Sequence, residues 1–480
     1  MNTNTTRKAG HPSAFAKRPA PFHRLLVQLP STNYWIRAVP VDGSQFRQRH
    51  RGAVAFAVIS SYPRNNPMPP TPSRGRLSAI GPAILLTATS VGAGDILTGS
   101  LAGAEAGLAV LWAVPAGIAL KWTLTEGIAR WQMATGTTLL EGWVTRLGAW
   151  IRWVFFTYLL VFTLVVGGML SSACGVAGAG LLPIGEPGQS RFLWGVIHSL
   201  GGLALVWWGG YAMLKRVLAV CVGAMFLTVA LTAILLSPDW VAVARGFVPS
   251  MPAAGPGWVI GLIGAIGGTM ALISYGYWIE EEGRTGRVGL RECRLDLLLS
   301  YAVIGLFGVA VVIVGSRVQV RGEGAGLALL LADQLAIALG PSGRWIFLVG
   351  FWAAVFSAML GVWQSLPYLF ADFLWLRRGT GTRRPARFET TRAYRGYLLF
   401  LATVPLLLLR WPVKQLQLAF GITGAMLLPL LALTLLMMNT KREWVGDEFR
   451  SGWRLNAVMA VALLCFAYVG VGEIRQWLAK

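Results

Sequence analysis

The chain has 480 residues, of which 55% are hydrophobic and only 13% charged. A soluble domain carries about 25% charged residues, so this chain has too little polar surface to face water and must have lipid as its main solvent. The net charge of +22 looks like a nucleic-acid signal, but residues 1–76 alone hold twelve Lys/Arg against the single acid Asp42, and the rest lies in loops between apolar runs; no nucleic-acid partner is expected.

Taken in chain order, residues 1–75 are rich in Pro, Arg, Ser and Asn and are predicted to be a basic, disordered leader. The apolar stretch Ala53–Ser60 is too short for a span or a signal-peptide core. Met68 opens a short basic lead-in to the first apolar run, so a native start at Met68, with the leader untranslated, is a second expectation.

A transporter domain is predicted over 76–480. A membrane helix needs about 20 apolar residues. Such runs recur at about 78–98, 106–128, 150–176, 192–213, 216–236, 257–280, 296–316, 343–375, 395–410, 416–438 and 454–476. Unbroken apolar runs exclude a porin-type barrel, which leaves an all-α bundle of about eleven transmembrane helices in a lipid bilayer. Alternate loops hold most of the Lys/Arg, among them Arg284, Arg287, Arg291 and Arg294, then Lys441, Arg442, Arg450 and Arg454. This bias, with eleven spans, predicts an amino terminus inside and a carboxyl terminus outside; the expected location is the bacterial inner membrane. Cys174, Cys221, Cys293 and Cys465 are scattered without metal-ligand spacing and are read as packing residues.

Span 1 is interrupted by Gly92-Ala93-Gly94-Asp95, and span 6, at comparable depth, by Gly264, Gly267 and Gly268. Glycine-broken helices at corresponding places in two halves point to an inverted-repeat transporter. The repeats would be 78–236 and 257–438, with 454–476 appended. The bland alternative is that these glycines only let helices pack closely.

The segment GPAILLTATSVGAGDILTGSLAGAEAGLAVLW (81–112) resembles the first two spans of the natural-resistance-associated macrophage protein (Nramp) family. AMLLPLLALT (425–434) and NTKREWVGDEFRSGWRLNAV (439–458) are similar to that family's span 10 and its link to span 11. The resemblance implies a leucine-transporter-like fold and proton-coupled divalent-metal transport. It also implies a changed metal site. The family's span-1 Asp-Pro-Gly-Asn falls on Gly92-Ala93-Gly94-Asp95, so a ligating aspartate is replaced by Gly92. Its span-6 Met-Pro-His falls on Gly268-Thr269-Met270, or a two-residue slide puts Met270 at the methionine position. Its span-10 glutamine falls on Ile422.

Asp95 is the leading candidate for binding a cation, as sole metal-ligating carboxylate, or for coupling to protons. A carboxylate near the bilayer centre costs at least about 2.5–3.5 kcal/mol and persists where it faces a cavity, binds a cation or titrates. Alternatively it only caps the second half-helix. Around it, Gly92, Gly94 and Gly268 would supply freed backbone. Thr87, Thr89, Ser90, Thr269 and Ser274 offer hydroxyls, or merely bond backbone carbonyls. Oxygen donors suit hard cations, and Met270 is the one soft candidate unless it is core.

Lys121, Glu126 and Arg130 form either a structural network near the inner face or an ion relay; Glu126 and Arg130 are spaced to pair. Glu280 to Glu282 are a solvated charge run or an acidic vestibule, with Tyr275, Tyr277 and Trp278 lining it or anchoring at the interface. His198 is read as structural, and Gln364 and Asp333 as weaker candidates. No phosphate loop, nucleophile elbow or metalloprotease motif supports an enzyme, and no cofactor is expected beyond a transported cation. The function read here is secondary active transport of a divalent or monovalent cation with protons. The alternatives are a sodium- or proton-coupled symporter of a small organic solute and a non-transporting sensor or structural subunit.

Overall fold

The computed structural model describes residues 26–28, 35–37, 86–87, 90–92, 94–208, 220, 223, 226–227, 239–253, 255–317, 332–333, 341–378, 385 and 388–478. The chain divides into two compact units, Met1–Ser73 and Arg74–Lys480. In the first, strand β1 (Leu26–Gln28) pairs antiparallel with β2 (Trp35–Arg37).

In the second unit the first span is broken. Leu86, Thr87 and Ser90 are helical, the chain bends at Val91 and Gly92, and a π-helical turn runs over Gly94–Thr98. Helix α1 (Gly99–Ala106) and a 3-10 turn (Gly107–Val110) continue it. It then meets α2 (Ala113–Thr135) at a bend of 106°. The expected boundary at 98 and start at 106 are thus corrected: the second half of span 1 reaches Val110. Gly107, at φ +63, ends α1. The polar-looking Glu105 is compatible with burial because Lys414 pairs with it at 2.7 Å.

Beyond α2 come a short amphipathic helix α3 (Leu139–Arg146), capped by the Thr138 hydroxyl, and the long helices α4 (Ala149–Leu181) and α5 (Pro187–Trp208). The span expected at 216–236 lies outside the described residues except at 220, 223, 226 and 227. Helix α6 (Trp240–Gly246) leads into the second broken span, α7 (Pro256–Ala265) and α8 (Met270–Glu281). Between them Gly267 and Gly268 take φ of +71 and +54, a left-handed conformation that glycine adopts without strain.

Helix α9 (Gly286–Ser316) begins ten residues before the span read from hydropathy at 296, because its first turns are the Arg-rich segment outside the apolar run. Then follow α10 (Pro341–Arg377), α11 (Arg392–Thr403) with its 3-10 extension Val404–Arg410, and α12 (Val413–Asn439). The last elements are α13 (Arg442–Phe449) and α14 (Trp453–Leu478). Among the described residues six helices are long and apolar enough to cross a membrane, or seven with the bent α1–α2 pair as one span.

The two breaks lie at the centre of the bundle. Helix α7 lies against α12 through glycines: a Cβ on Gly264 would collide with the Gly421 carbonyl, and one on Gly424 would stand 2.9 Å from the Gly264 oxygen. On the other side, a Cβ on Gly92 would overlap the Ala358 side chain of α10. This closeness brings three elements around the breaks.

Candidate functional site

The two breaks are joined by Asp95. Its carboxylate is buried at 1% exposure and accepts from the Gly92 N–H at 3.2 Å and the Gly267 N–H at 2.8 Å. The Gly92 bond reaches back three residues, as an acid in the first turn of a helix does. The Gly267 bond crosses to span 6. Asp95 therefore does more than cap its own half-helix.

Beside it lies a cavity of about 50 Å³. Ser90, Gly92 and Asp95 line it from span 1, and Gly268, Thr269, Met270, Ser274 and Trp278 from span 6. The Ser90 hydroxyl is buried and has no hydrogen-bond partner among the described residues. The Thr269 hydroxyl donates to the Gly264 carbonyl at 2.7 Å and that of Ser274 to the Met270 carbonyl at 3.2 Å, the backbone bonding expected of such groups. Gly94 opens the π turn, and Thr87 is half-buried and does not line the cavity. Thr89 lies outside the described residues.

Two walls had no place in the sequence reading. Helix α10 supplies Ala358, Gly361, Val362 and Ser365, while Phe162, Val166 and Met169 of α4 close the apolar side. Gln364, on α10, does not line the cavity. The small residues Ala354, Ala358, Gly361 and Ser365 recur at helical spacing, which is the signal that could have flagged α10. On α12, Ile422 is 38% exposed, so the residue at the family's glutamine position points away from the site. Gln417, one turn earlier and buried, instead accepts from the Thr98 hydroxyl at 3.2 Å.

Lys121 corrects the expected Lys121–Glu126–Arg130 grouping. Five residues along a helix turn a side chain by about 140° from its starting face, and Lys121 goes to the span-6 break. Its ammonium donates to the Gly264 carbonyl at 2.9 Å and, at shorter range, to that of Ile266, with Asp95 its electrostatic neighbour. Glu126 and Arg130 do pair, at 2.6 Å, and Arg294 of α9 joins the same carboxylate at 2.8 Å. Arg130 also donates to the carbonyls of Phe449 and Arg450.

The remaining candidates are elsewhere. Glu280 is exposed and does not line the cavity; Trp278 does. Tyr275 and Tyr277 point into the protein rather than lining an exit, Tyr277 donating to Asp372 at 2.7 Å. His198 is held by the Trp194 carbonyl and by the Trp352 indole, both at 2.7 Å, as a structural residue is. Asp333 pairs with Arg344 at 3.0 Å. Among the described residues no three His, Cys, Asp or Glu side chains converge as a metal cage.

A broken-helix centre with one buried carboxylate is the geometry of an ion-coupled carrier, and the sequence agrees with it at family level. The profile described as natural resistance-associated macrophage protein-like, Nramp, matches residues 83–473. The chain belongs to the Nramp family. No curated protein matches the sequence. Among solved structures, a variant of the Eremococcus coleocola manganese transporter is similar with a TM-score of 0.66 at 16% identity, over 85% of this chain and 89% of that one. The transporter MhsT, solved with L-phenylalanine, gives 0.53 at 15% identity, over 81% and 97%. A sodium-coupled sialic acid symporter gives 0.51 at 12% identity, over 82% and 89%.

These likenesses show the fold, the leucine-transporter-like bundle of two inverted five-helix repeats with helices 1 and 6 broken. As an Nramp-family protein the chain is a multi-pass membrane protein and a secondary active cation transporter, not an enzyme.

Proposed function

We propose that the cargo is a small hard cation taken into the cavity beside Asp95, carried by alternating access and coupled to protons. The observation that carries this reading is the Ser90 hydroxyl, buried without a partner among the described residues on the wall that Asp95 shares. An unsatisfied buried hydroxyl costs about 1–3 kcal/mol, and a bound cation relieves that cost by accepting its lone pairs. A cavity of about 50 Å³ holds a few waters, the size of an ion with part of its hydration shell. Ser90, Ser365 and the Asp95 carboxylate are hard donors, set against the thioethers of Met169 and Met270.

A second reading, a small organic solute with Asp95 holding the coupling ion, is favoured by the apolar wall of Phe162, Val166, Met169 and Phe420. Uptake into proteoliposomes of manganese, magnesium, calcium and sodium, with a pH dye inside, separates the two. The cation reading expects saturable uptake of at least one ion with internal acidification. Asp95→Asn should reduce it by more than about 100-fold, since stranding a buried charge costs about 3–5 kcal/mol and each tenfold is about 1.4 kcal/mol. No flux of any of the four sinks the cation reading and leaves the organic solute.

For orientation, the proposal is a bacterial inner-membrane protein with its amino terminus inside. The contacts of Arg294 with Glu126, Arg130 with Arg450, and Arg287 with Glu448 support it, because they gather the basic loops at one end of the bundle.

A further inference from the structure

The first half of span 6 ends at Ala265, where a helix leaves its last carbonyls without intrahelical partners and concentrates negative partial charge. In inverted-repeat transporters such half-helix ends and unwound carbonyls hold a coupling cation. Here the position is filled from within the chain. Lys121 is fully buried, its ammonium bonded to Gly264 and Ile266 oxygens, beside the Asp95 carboxylate that itself holds the Gly267 N–H. We infer that Lys121 is a tethered cation standing in the place of an inorganic monovalent ion, and that it makes this carrier sodium-independent.

Charge and geometry support the inference together. A buried carboxylate and a buried ammonium each cost several kcal/mol unless compensated. The break compensates both, with an amide N–H for the acid and two carbonyls for the base. Removing the ammonium while leaving Asp95, Gly264 and Ile266 in place creates an anionic, oxygen-lined site of monovalent demand. Sodium is the hard cation that fits oxygen donors of this kind. A lysine that only capped the half-helix would be a structural residue, and its loss would weaken the protein equally in any salt.

The inference rests on reading the two breaks as the transport centre, but its test needs no knowledge of the cargo. The purified full-length protein is unfolded thermally in detergent with sodium chloride or choline chloride at equal ionic strength. The wild type should have the same midpoint in both. Lys121→Met and Lys121→Gln should each gain a sodium-dependent rise of a few degrees at about ten times the dissociation constant. Lys121→Arg, which keeps the charge, should remain insensitive. A neutral variant that purifies only in sodium supports the inference as well. A wild type stabilised by sodium overturns it, as do neutral variants that are equally stable, or equally unstable, in both salts. Failure of cation uptake beside a positive sodium shift would sink the cargo reading alone.

Discussion

Gly264 shows how little room the centre leaves at a single position. Its α-carbon faces the Gly421 carbonyl, its own carbonyl accepts from both Lys121 and Thr269, and a Cβ there would also stand 2.5 Å from the Ala425 nitrogen. The obstruction is backbone, which cannot rotate away, so α7 and α12 would have to separate. Overpacking of this kind costs about 1–3 kcal/mol, sometimes more. Gly264→Ala should therefore lower the thermal midpoint by several degrees and weaken uptake. Gly396→Ala, in α11 with open space around its α-carbon, should leave the midpoint unchanged or raised, since alanine gains about 1 kcal/mol over glycine in a helix. Equal effects at the two positions would refute the close-packing account. The span-6 glycines were legible in the sequence as a break. That Gly264 packs while Gly267 and Gly268 turn the backbone was not, because both roles are written with the same residue.

Between elements, the Glu126 carboxylate ties α2 to α9 and, through Arg130, to the link between α13 and α14. The i, i+4 spacing made the Glu126–Arg130 pair readable. Arg294, 168 residues away, gave no such signal, since spacing encodes only contacts within one helix. The same limit explains Lys121: nearness in sequence grouped it with Glu126, whereas the helical angle sends it to another face. The two guanidiniums differ in setting, Arg130 at 6% side-chain exposure and Arg294 at 44%. Losing the exposed partner should cost at most about 1 kcal/mol, and stranding the buried one about 3–5 kcal/mol. Glu126→Gln should accordingly destabilise the protein far more than Arg294→Gln in thermal or denaturant unfolding. Comparable losses would mean that Arg294, not Arg130, carries the network.

At the scale of the molecule, composition and the two glycine breaks were enough to indicate a broken-helix inverted-repeat bundle, because both follow from rules that act within one segment. Lipid must be faced by apolar residues, and a helix must be interrupted where backbone is to be freed. The wall contributed by α10, and the extension of span 1 to Val110, depend on which segments meet, and no local rule fixes that. Orientation is a property of the same scale. The ion pairs of Glu126 with Arg294 and of Glu448 with Arg287 mark one end of the bundle. The contact of Trp112 with the Ser250 carbonyl and that of Glu105 with Lys414 mark the other, since α12 runs from Val413 beside the second pair to Asn439, which bonds the Gly127 carbonyl near the first. Met251 is 66% exposed at that second end, and the Arg287 side chain 71% exposed at the first. With the four native cysteines replaced, Met251→Cys should react with an impermeant maleimide on intact spheroplasts, and Arg287→Cys only in inverted vesicles. The reverse pattern would turn the molecule over and place the positive loops outside. Labelling of both from one side would contradict the separation of these loops across the bilayer, on which the proposed path through the Asp95 cavity depends.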